Sequence, residues 1–203
     1  MFTGIIERTG TVHALAQTST GSELLIDAGG WGEGFAPGES IAISGCCLTL
    51  APRLGMASGM LRFDVVPETL SKTTLGFIGP GTRVNLERSA TAASLLGGHV
   101  VQGHVEGLGI VRGVKEVGEW RVTIEAPSEL LPCITPKGSV AVEGVSLTIA
   151  SVDVAGSSFD VALIPTTLDL TTLRDLRVGT RVNLETDIIA RTVVHFMQHF
   201  TDR

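Results

Sequence analysis

Tyrosine is absent from the chain and cysteine is scarce, with three residues among 203. Two of them, Cys46 and Cys47, are adjacent. Neighbouring cysteines pair poorly, and an odd number does not suit a disulfide framework. A reducing, cytoplasmic location is therefore expected. No apolar run reaches the roughly 18 residues that a membrane-spanning helix needs, and no basic and apolar regions of a signal peptide are present at the N-terminus.

Clusters of basic residues are also absent. The formal net charge is -6 at pH 7, and the 15 Lys and Arg residues are spread along the chain. A surface for nucleic acid or for an anionic membrane would need a concentrated positive patch. We therefore expect no nucleic-acid partner and no membrane association.

Glycine, in contrast, is abundant, with 25 residues, and 43% of the chain is hydrophobic. This mixture is typical of many short strands joined by tight turns. About six strands in fewer than about a hundred residues favour a small closed antiparallel barrel, because closure removes exposed edge strands. Alternating apolar and polar residues, bounded by Gly, Pro or Ser, predict strands in the first half at 24–26, 41–43, 47–50, 61–65 and 83–86.

The sequence repeats itself. Residues 81–87 recur unchanged at 179–185, an offset of 98, and residues 45–49 correspond to 144–148 at an offset of 99. A hairpin turn at 54–59 is expected to absorb the one-residue difference. Because a period this long is a whole domain, the sequence predicts two domains and a C-terminal segment, at 1–99, 100–187 and 188–203.

Each copy is predicted to end in a helix. The first covers 89–96 and is followed by two glycines, which is typical of a helix end. The second covers about 188–200. A lone helix of about 13 residues is marginal in water, so its apolar stripe is expected to be buried against a partner chain by self-association. That stripe consists of Ile189, Val193, Phe196 and Phe200.

The predicted fold is therefore all-β, with two tandem six-stranded antiparallel Greek-key barrels plus a C-terminal α-helix. The two copies share this scaffold and differ at a few polar positions, which is where function is best sought. Thr49 and Thr148 are equivalent hydroxyls. The differences are Cys47 against Ser146, Ile5 against His104, and Ser89 against Asp187.

Each of these residues also has a purely structural interpretation. Cys47 is a small side chain of the kind that cores accommodate. Ser146 and Thr148 can satisfy backbone groups at a turn. His99 and His104 can be ordinary core or surface histidines.

Two patterns of interest do not predict sites. His195 and His199 are four residues apart on the predicted helix, which is a metal-ligand spacing, but no third ligand is evident, so no metal site is predicted. The segment 107–109 (GLG) lacks both the spacing and the strand-turn-helix context of a dinucleotide loop.

Several segments resemble the riboflavin synthase family. They cover nearly all of the chain and occur in the family's order. In the first copy they are 1–5 (MFTGI), 45–49 (GCCLT), 68–70 (ETL), 84–88 (VNLER) and 97–104 (GGHVVQGH); in the second they are 137–138 (KG) and 144–148 (GVSLT).

The resemblance implies a fold, a reaction and an assembly. In this family each barrel holds one 6,7-dimethyl-8-ribityllumazine, so that an active site takes two. One lumazine donates a four-carbon unit to the other, giving riboflavin and 5-amino-6-(D-ribitylamino)uracil, with no metal or redox cofactor. The chains form a homotrimer, in which the first barrel of one chain faces the second barrel of its neighbour. Association with lumazine synthase, which makes the substrate, is left open.

The resemblance also implies residue roles. His104 and Ser146 are candidates for proton transfer, since imidazole titrates near neutrality and a hydroxyl can relay a proton. Cys47 would add as a nucleophile or orient water, and Asp187 matches a further functional position. The expected substrate contacts include two ribityl-binding strands, at 64–69 and 163–168. The full set is Gly4, Ile5, Ile6, Cys47, Leu48, Thr49, Asp64, Val65, Val66, Pro67, Glu68, Thr69, Gly103, His104, Val105, Lys137, Ser146, Leu147, Thr148, Leu163, Ile164, Pro165, Thr166, Thr167 and Leu168.

Two positions depart from the family pattern. Glu143 stands where the family usually has Asp, and the extra methylene would move the carboxylate by about 1.5 Å, so no role is carried over to it. Thr166 stands where the first copy has Glu68.

The alternative function is a non-catalytic carrier of lumazine or flavin, which would need only one good pocket. Cys47, His104, Ser146 and Lys137 are all present, which favours the enzyme. A flavin reductase is a second alternative, but it would need a nicotinamide-binding α/β domain, and no segment predicts one.

Overall fold

Two six-stranded antiparallel sheets, one from each copy, make up most of the molecule. The computed structural model describes residues 1–52, 55 and 57–200, so the predicted turn at 54–59 lies partly outside the described residues. The first sheet contains β1 (Arg8–Thr18), β2 (Gly21–Asp27), β3 (Ser40–Ile43), β4 (Cys46–Thr49), β5 (Met60–Val65) and β6 (Arg83–Arg88). The second contains β7 (Gly107–Lys115), β8 (Trp120–Glu125), β9 (Ser139–Val142), β10 (Val145–Asp153), β11 (Ser158–Leu163) and β12 (Arg181–Thr186).

The strand order is the same in both sheets. The second is a closed barrel, in which β9, β10 and β11 are successive neighbours and β12 returns beside β9, as in a Greek key. The first runs β4-β3-β6-β1-β2-β5. Its end strands meet at an isolated bridge between Leu50 and Phe63, beside which Ala51 N–H donates to Arg62 O at 2.8 Å. The prediction of an all-β fold with two six-stranded sheets is confirmed.

Each sheet encloses its own apolar core. Phe63 lies in the first core and Phe159 in the second, both almost completely buried. Full burial of a side chain of this size stabilises the fold by about 1.5–3 kcal/mol. A small third cluster joins the two copies and consists of Phe2, Ala42, Val101 and Ala141, with Cys47 packed against it. The alternation of apolar and polar residues along the strands therefore gives two separate cores, which this small cluster connects.

The helix predicted at 89–96 is wrong. This segment contains no helical residue, only a turn at 92–93, and Leu95 is 92% exposed. Ser89 and Ala90 instead donate their N–H groups to Ser40 O and Met1 O, at 3.1 and 2.8 Å. Residues 90–98 are all exposed, so a helix here would have no buried face to offset the cost of nucleation.

The predicted ribityl-binding strands are strands only as far as Val65 and Leu163. Each is followed by a short helix, α1 (Pro67–Lys72) or α2 (Pro165–Leu170), that begins with proline at its first position. This is where proline is tolerated, because its missing N–H would be unpaired there anyway. Short 3-10 turns complete the chain, at Gly29–Gly32, Thr74–Phe77, Leu131–Cys133 and Thr172–Asp175.

The C-terminal helix α3 spans Ile188–Phe200, as predicted. Asp187 caps its first turn, with Oδ1 accepting Ile189 N–H at 2.8 Å. The predicted apolar stripe of α3 is 52% to 69% exposed within one chain. Among the described residues, no helix is long and apolar enough to cross a bilayer.

Candidate functional site

The two copies are joined by contacts that repeat with the period of the sequence. Asn85, in the repeated segment 81–87, donates its amide N–H to Glu143 O at 2.9 Å and accepts Thr172 N–H at 2.8 Å. Both partners lie in the other copy. The equivalent contacts of the second copy are Asn183 Nδ2 to Ser44 O at 2.8 Å and Thr74 N–H to Asn183 Oδ1 at 2.7 Å. The copies therefore face each other across an approximate two-fold axis.

The first residues of each copy, 3–6 and 102–105, contact the other copy, and we call them the crossing segments. Gly4 O accepts Ser146 N–H at 2.8 Å, and Gly103 O accepts Cys47 N–H at 2.8 Å. Both glycines have positive φ. A Cβ atom would lie 2.6 Å from Ser146 Cβ at the first position and 2.5 Å from Cys47 Cβ at the second. Only glycine fits at either position, for steric and conformational reasons alike.

This crossing divides the sequence-predicted residues into two groups. The first site consists of the β4 residues Cys47, Leu48 and Thr49 together with residues 103–105. The segment 103–105 belongs here because Val105 packs against the first core. The second site consists of the β10 residues Ser146, Leu147 and Thr148 together with residues 4–6. The segment 4–6 belongs here because Ile6 lies in the second core. Each copy thus supplies one segment to the site of the other. If each site were built from one copy alone, Cys47 would instead share its site with Ile5.

The second site contains a histidine that sequence reasoning left as an ordinary residue. His99 Nδ1 lies 2.7 Å from Ser146 Oγ, and its Nε2 is buried without a hydrogen-bond partner in the described part of the chain. Burial lowers the pKa of His99, against an opposing electrostatic effect of Asp187. A neutral imidazole beside a hydroxyl can accept its proton.

The first site differs in its chemistry. Cys47 is half-buried, whereas its neighbour Cys46 is buried and has a pKa raised to about 12, mainly by desolvation. The thiolate is the reactive form of cysteine, so Cys47 is the thiol of this pair that can react. His104 lies in the crossing segment of the same site and is exposed.

Sequence reasoning missed two buried carboxylates, Glu87 and Glu185, which are each 3% exposed. Glu185 accepts backbone N–H groups from Gln102, Gly103 and His104 at 2.6 to 2.9 Å. Glu87 accepts Thr3 N–H, the Thr3 hydroxyl and Gly4 N–H, at 2.6, 2.7 and 3.0 Å. Burial raises the pKa of both, and these hydrogen bonds oppose the rise. The signal in the sequence was a glutamate ending the segment that recurs unchanged.

Glu143 lies at the joint between the copies. Its carboxylate accepts Asn183 N–H at 2.6 Å and the Thr74 hydroxyl at 3.3 Å, and burial raises its pKa to about 7. A cleft of about 410 Å³ opens beside it, lined also by Arg83 and Arg181. No hydrogen bond within the described residues links Glu143 to Cys47 or Ser146.

Several predicted contact residues are exposed at the surface of one chain. Val66 and Ile164 occupy equivalent positions before α1 and α2 and are 56% and 63% exposed, and Ile5 is 49% exposed. A cavity of about 640 Å³ lies beside Ile5, which is the one predicted contact residue in its lining. Exposed apolar side chains at paired positions indicate surfaces that a ligand or a second chain would cover.

The remaining predicted residues lie in the turn before β9, in β5 and in the helices α1 and α2. Lys137 is exposed in the turn before β9, with φ of 69°. Asp64 and Glu68 are exposed and pair with Arg62 and Lys72, at 3.2 and 2.8 Å. Pro67, Thr69, Pro165, Thr166, Thr167 and Leu168 lie in α1 and α2. His195 and His199 have ring centroids 4.6 Å apart, and the described residues contain no group of three or more metal-ligating side chains.

Comparison with known proteins agrees with this architecture. Residues 3–89 and 102–187 each match the family described as "Lumazine binding domain". LumP complexed with 6,7-dimethyl-8-(1'-D-ribityl) lumazine has the same fold, with a TM-score of 0.80 at 23% identity, covering 92% of this chain and 99% of that chain. LumP complexed with riboflavin has a TM-score of 0.81 at 25% identity, with the same coverage.

Relatives with higher identity extend over the full length. The riboflavin synthase of Mycobacterium bovis is 42% identical over 207 residues, with 98% of each chain covered. That of Brucella abortus is 38% identical, covering 98% of this chain and 99% of the relative. That of Bacillus amyloliquefaciens is 37% identical, covering 100% and 92%. With two lumazine-binding domains in tandem and relatives of this identity, the chain belongs to the riboflavin synthase family.

Proposed function

We propose that the protein catalyses the dismutation of two molecules of 6,7-dimethyl-8-ribityllumazine. One lumazine donates a four-carbon unit to the other, and the products are riboflavin and 5-amino-6-(D-ribitylamino)uracil. The atoms of two lumazines balance these two products, so no oxidant or reductant is required. The observation that carries the proposal is the presence of two sites built in the same way that differ at the reactive position, Cys47 against Ser146.

The reaction itself explains why the two sites are alike and yet different. Two identical molecules require two sites of one shape, and holding both rings in place converts an encounter between free molecules into a positioned reaction. The molecules nevertheless play unequal roles. One loses a proton from its C7 methyl group, and the other is attacked by a nucleophile at C7. A scaffold duplicated with a few polar differences meets both requirements.

The second site is suited to proton transfer. Ser146 Oγ is 2.7 Å from His99 Nδ1, so a proton taken by the hydroxyl can pass to a neutral imidazole. Asp187 lies near enough to oppose the lowering of the His99 pKa by burial, which favours the imidazolium that forms. Thr148 and the backbone of 4–6 would hold the ring edges, and such polar contacts give specificity because a different ring leaves them unpaired.

The first site is suited to the nucleophilic step. Cys47 either adds to C7 or orients the water that adds, and His104 on the crossing segment would transfer the proton. Thr49 and the segments that include Val65 and Glu68 would hold the ring and the ribityl chain. Lys137 would contact the substrate from the turn before β9.

A homotrimer completes the proposal, with the domains divided at 99 and 187. Within one chain the apolar stripe of α3 is exposed, as are Val66, Ile164 and Ile5. Stripe residues such as Phe196 and Phe200 stack on one another at a centroid distance of 5.7 Å. Assembly through α3 would bury this stripe and bring the first site of one chain against the second site of a neighbour. We place the assembly in the cytoplasm, where its three cysteines, all free, would stay reduced.

Anaerobic turnover of purified lumazine tests the proposal. We expect one riboflavin to appear for every two lumazines consumed, with no added metal or reductant, as measured by chromatography of substrate and both products. A shift in lumazine fluorescence without riboflavin would instead show a carrier and overturn the catalytic function. The likeness to LumP shows only that the fold is compatible with a carrier.

A further inference from the structure

We propose that Glu87 and Glu185 are positioning residues, each of which holds the site that contains the reactive residue of the other copy. Glu87, in the first copy, would position the Ser146 site, and Glu185, in the second copy, would position the Cys47 site. The inference rests on the proposed function, since it concerns the same two sites.

The two carboxylates are held mainly by hydrogen bonds, although Arg191 also lowers the pKa of Glu185 electrostatically, against the rise that burial causes. Neither forms a salt bridge within the described residues, although both side chains are almost completely buried. A buried charge is costly unless it is paired or fully hydrogen-bonded. Here three N–H or O–H donors converge on each carboxylate, and charge-assisted bonds of this kind are about twice as strong as neutral ones.

These donors belong to the crossing segments. Gly4 donates its N–H to Glu87 and accepts Ser146 N–H through its carbonyl. A single glycine therefore connects the carboxylate to the residue that carries the reactive hydroxyl. The same arrangement connects Glu185 through Gly103 to Cys47.

The glycines around each reactive residue are packed so closely against it that there is no room for a Cβ atom. A Cβ at Gly4 would lie 2.8 Å from the Ser146 backbone nitrogen, and one at Gly98 would lie 2.8 Å from Ser146 Oγ. A Cβ at Gly103 would lie 3.0 Å from the Cys47 nitrogen. Movement of a crossing segment is therefore transmitted to the reactive residue, and a displacement of about 1 Å can reduce a rate by about 100-fold.

The proposal predicts a crossed pattern of effects. Glu87→Gln leaves Gly4 or Thr3 facing an amide N–H₂ group instead of an oxygen, so it should disturb the second site and leave the first unchanged. Glu185→Gln should do the opposite. A general structural role would disturb both sites equally, or the site of the substituted copy.

Each site offers its own probe. Cys47 is the least buried cysteine, so its alkylation by iodoacetamide, mapped by mass spectrometry with and without bound riboflavin, reports on the first site. The ring resonances of His99, assigned with a His99→Gln spectrum, report on the second.

Unfolding midpoint, sedimentation and lumazine turnover are measured for every variant. Glu125→Gln is the matched control, since Glu125 is a half-exposed strand residue that pairs with Arg112 at 2.6 Å.

We expect Glu185→Gln to change the Cys47 alkylation rate at least about threefold, and Glu87→Gln to shift the His99 resonances, each without the other effect. Turnover should fall about 10- to 100-fold in both, mainly in kcat. The milder Thr3→Val removes one donor to Glu87, and it should shift the His99 ring resonances without changing the Cys47 alkylation rate. It replaces Glu87→Gln in the test if that variant does not fold.

Turnover within twofold of wild type for both Gln variants, or equal changes at both probes, would overturn the positioning role. This outcome differs from failure of the proposed function, in which the wild-type protein itself makes no riboflavin. The alkylation and resonance patterns would still be readable in that case.

Discussion

Single side chains decide how the two sites differ, although the backbones that carry them are equivalent. Cys47 and Ser146 each follow a glycine-containing turn, and each donates its backbone N–H to a glycine carbonyl in the crossing segment of the other copy. Within the described part of the chain, only Ser146 has a buried histidine at hydrogen-bond distance. Under the proposed function, a few differences on a duplicated scaffold, such as Cys47 against Ser146, would give the two sites their separate roles.

We predict that Ser146→Ala lowers kcat by about 100-fold, because the proton relay to His99 is removed. Steady-state turnover of lumazine measures this effect. Ser151→Ala is the matched control, since Ser151 is an exposed residue of the same strand whose hydroxyl donates to Asp160 at 2.9 Å. A folded Ser146→Ala protein with full turnover would remove Ser146 from the mechanism.

Glu143 makes stability depend on pH. Its folded pKa is about 7, above the unfolded value of 4.5, so the folded state binds its proton more tightly. The stabilisation is present below pH 4.5 and is lost as the pH rises through about 7. We predict that Glu143→Gln, which cannot ionise, unfolds at a higher denaturant concentration than wild type at pH 8.

The comparison at pH 5 completes this test. The advantage of Glu143→Gln should shrink there, because wild-type Glu143 is then largely protonated. Denaturation curves at both pH values measure the difference, with the exposed Glu129→Gln as control. An advantage that is the same at pH 5 and pH 8 would contradict a titrating Glu143.

Among the elements, the sequence predicted five of the six strands of the first half, but not β1 (Arg8–Thr18), the linker or the crossing. Strand alternation is a local signal, and all the predicted strands of the first half are present. The segment 89–96 has helix-compatible residues, but the N–H groups of its first two residues, Ser89 and Ala90, donate to carbonyls of Ser40 and Met1, which are distant in sequence. The pairing of Gly4 with Ser146 is equally non-local, so no local pattern could predict it.

The helix α3 is an element whose length and stripe were both predicted, and its role in assembly is testable. Phe196→Asp places a charge in the exposed stripe. We predict loss of the trimer in sedimentation velocity, with turnover falling by about tenfold or more, as for a residue central to an interface. Gln198→Asp, on the opposite side of the helix, should keep both. A monomeric wild-type protein with full turnover would contradict the role of α3.

The whole molecule has an approximate two-fold axis between its copies, and in the proposed homotrimer the first site of one chain works with the second site of a neighbour. Asn85 and Asn183 bind the turns that precede β10 and β4, so the strands carrying Ser146 and Cys47 are fixed by the joint itself. Under the proposed function, two lumazines would then be brought together by the first site of one chain and the second site of another. Assembly is in this view part of the active site rather than an addition to it.

Mixing two inactive variants tests this arrangement. Thr49→Trp and Thr148→Trp place the same bulky side chain at equivalent exposed positions of the first and second sites, so each homotrimer should be inactive. In trimers reassembled from an equal mixture, some interfaces unite an intact first site with an intact second site. We predict that the mixture recovers about a quarter of wild-type turnover, as expected for random assembly of a ring with head-to-tail interfaces. If both reacting sites belonged to one chain, no mixture would regain activity, because every chain carries one blocked site.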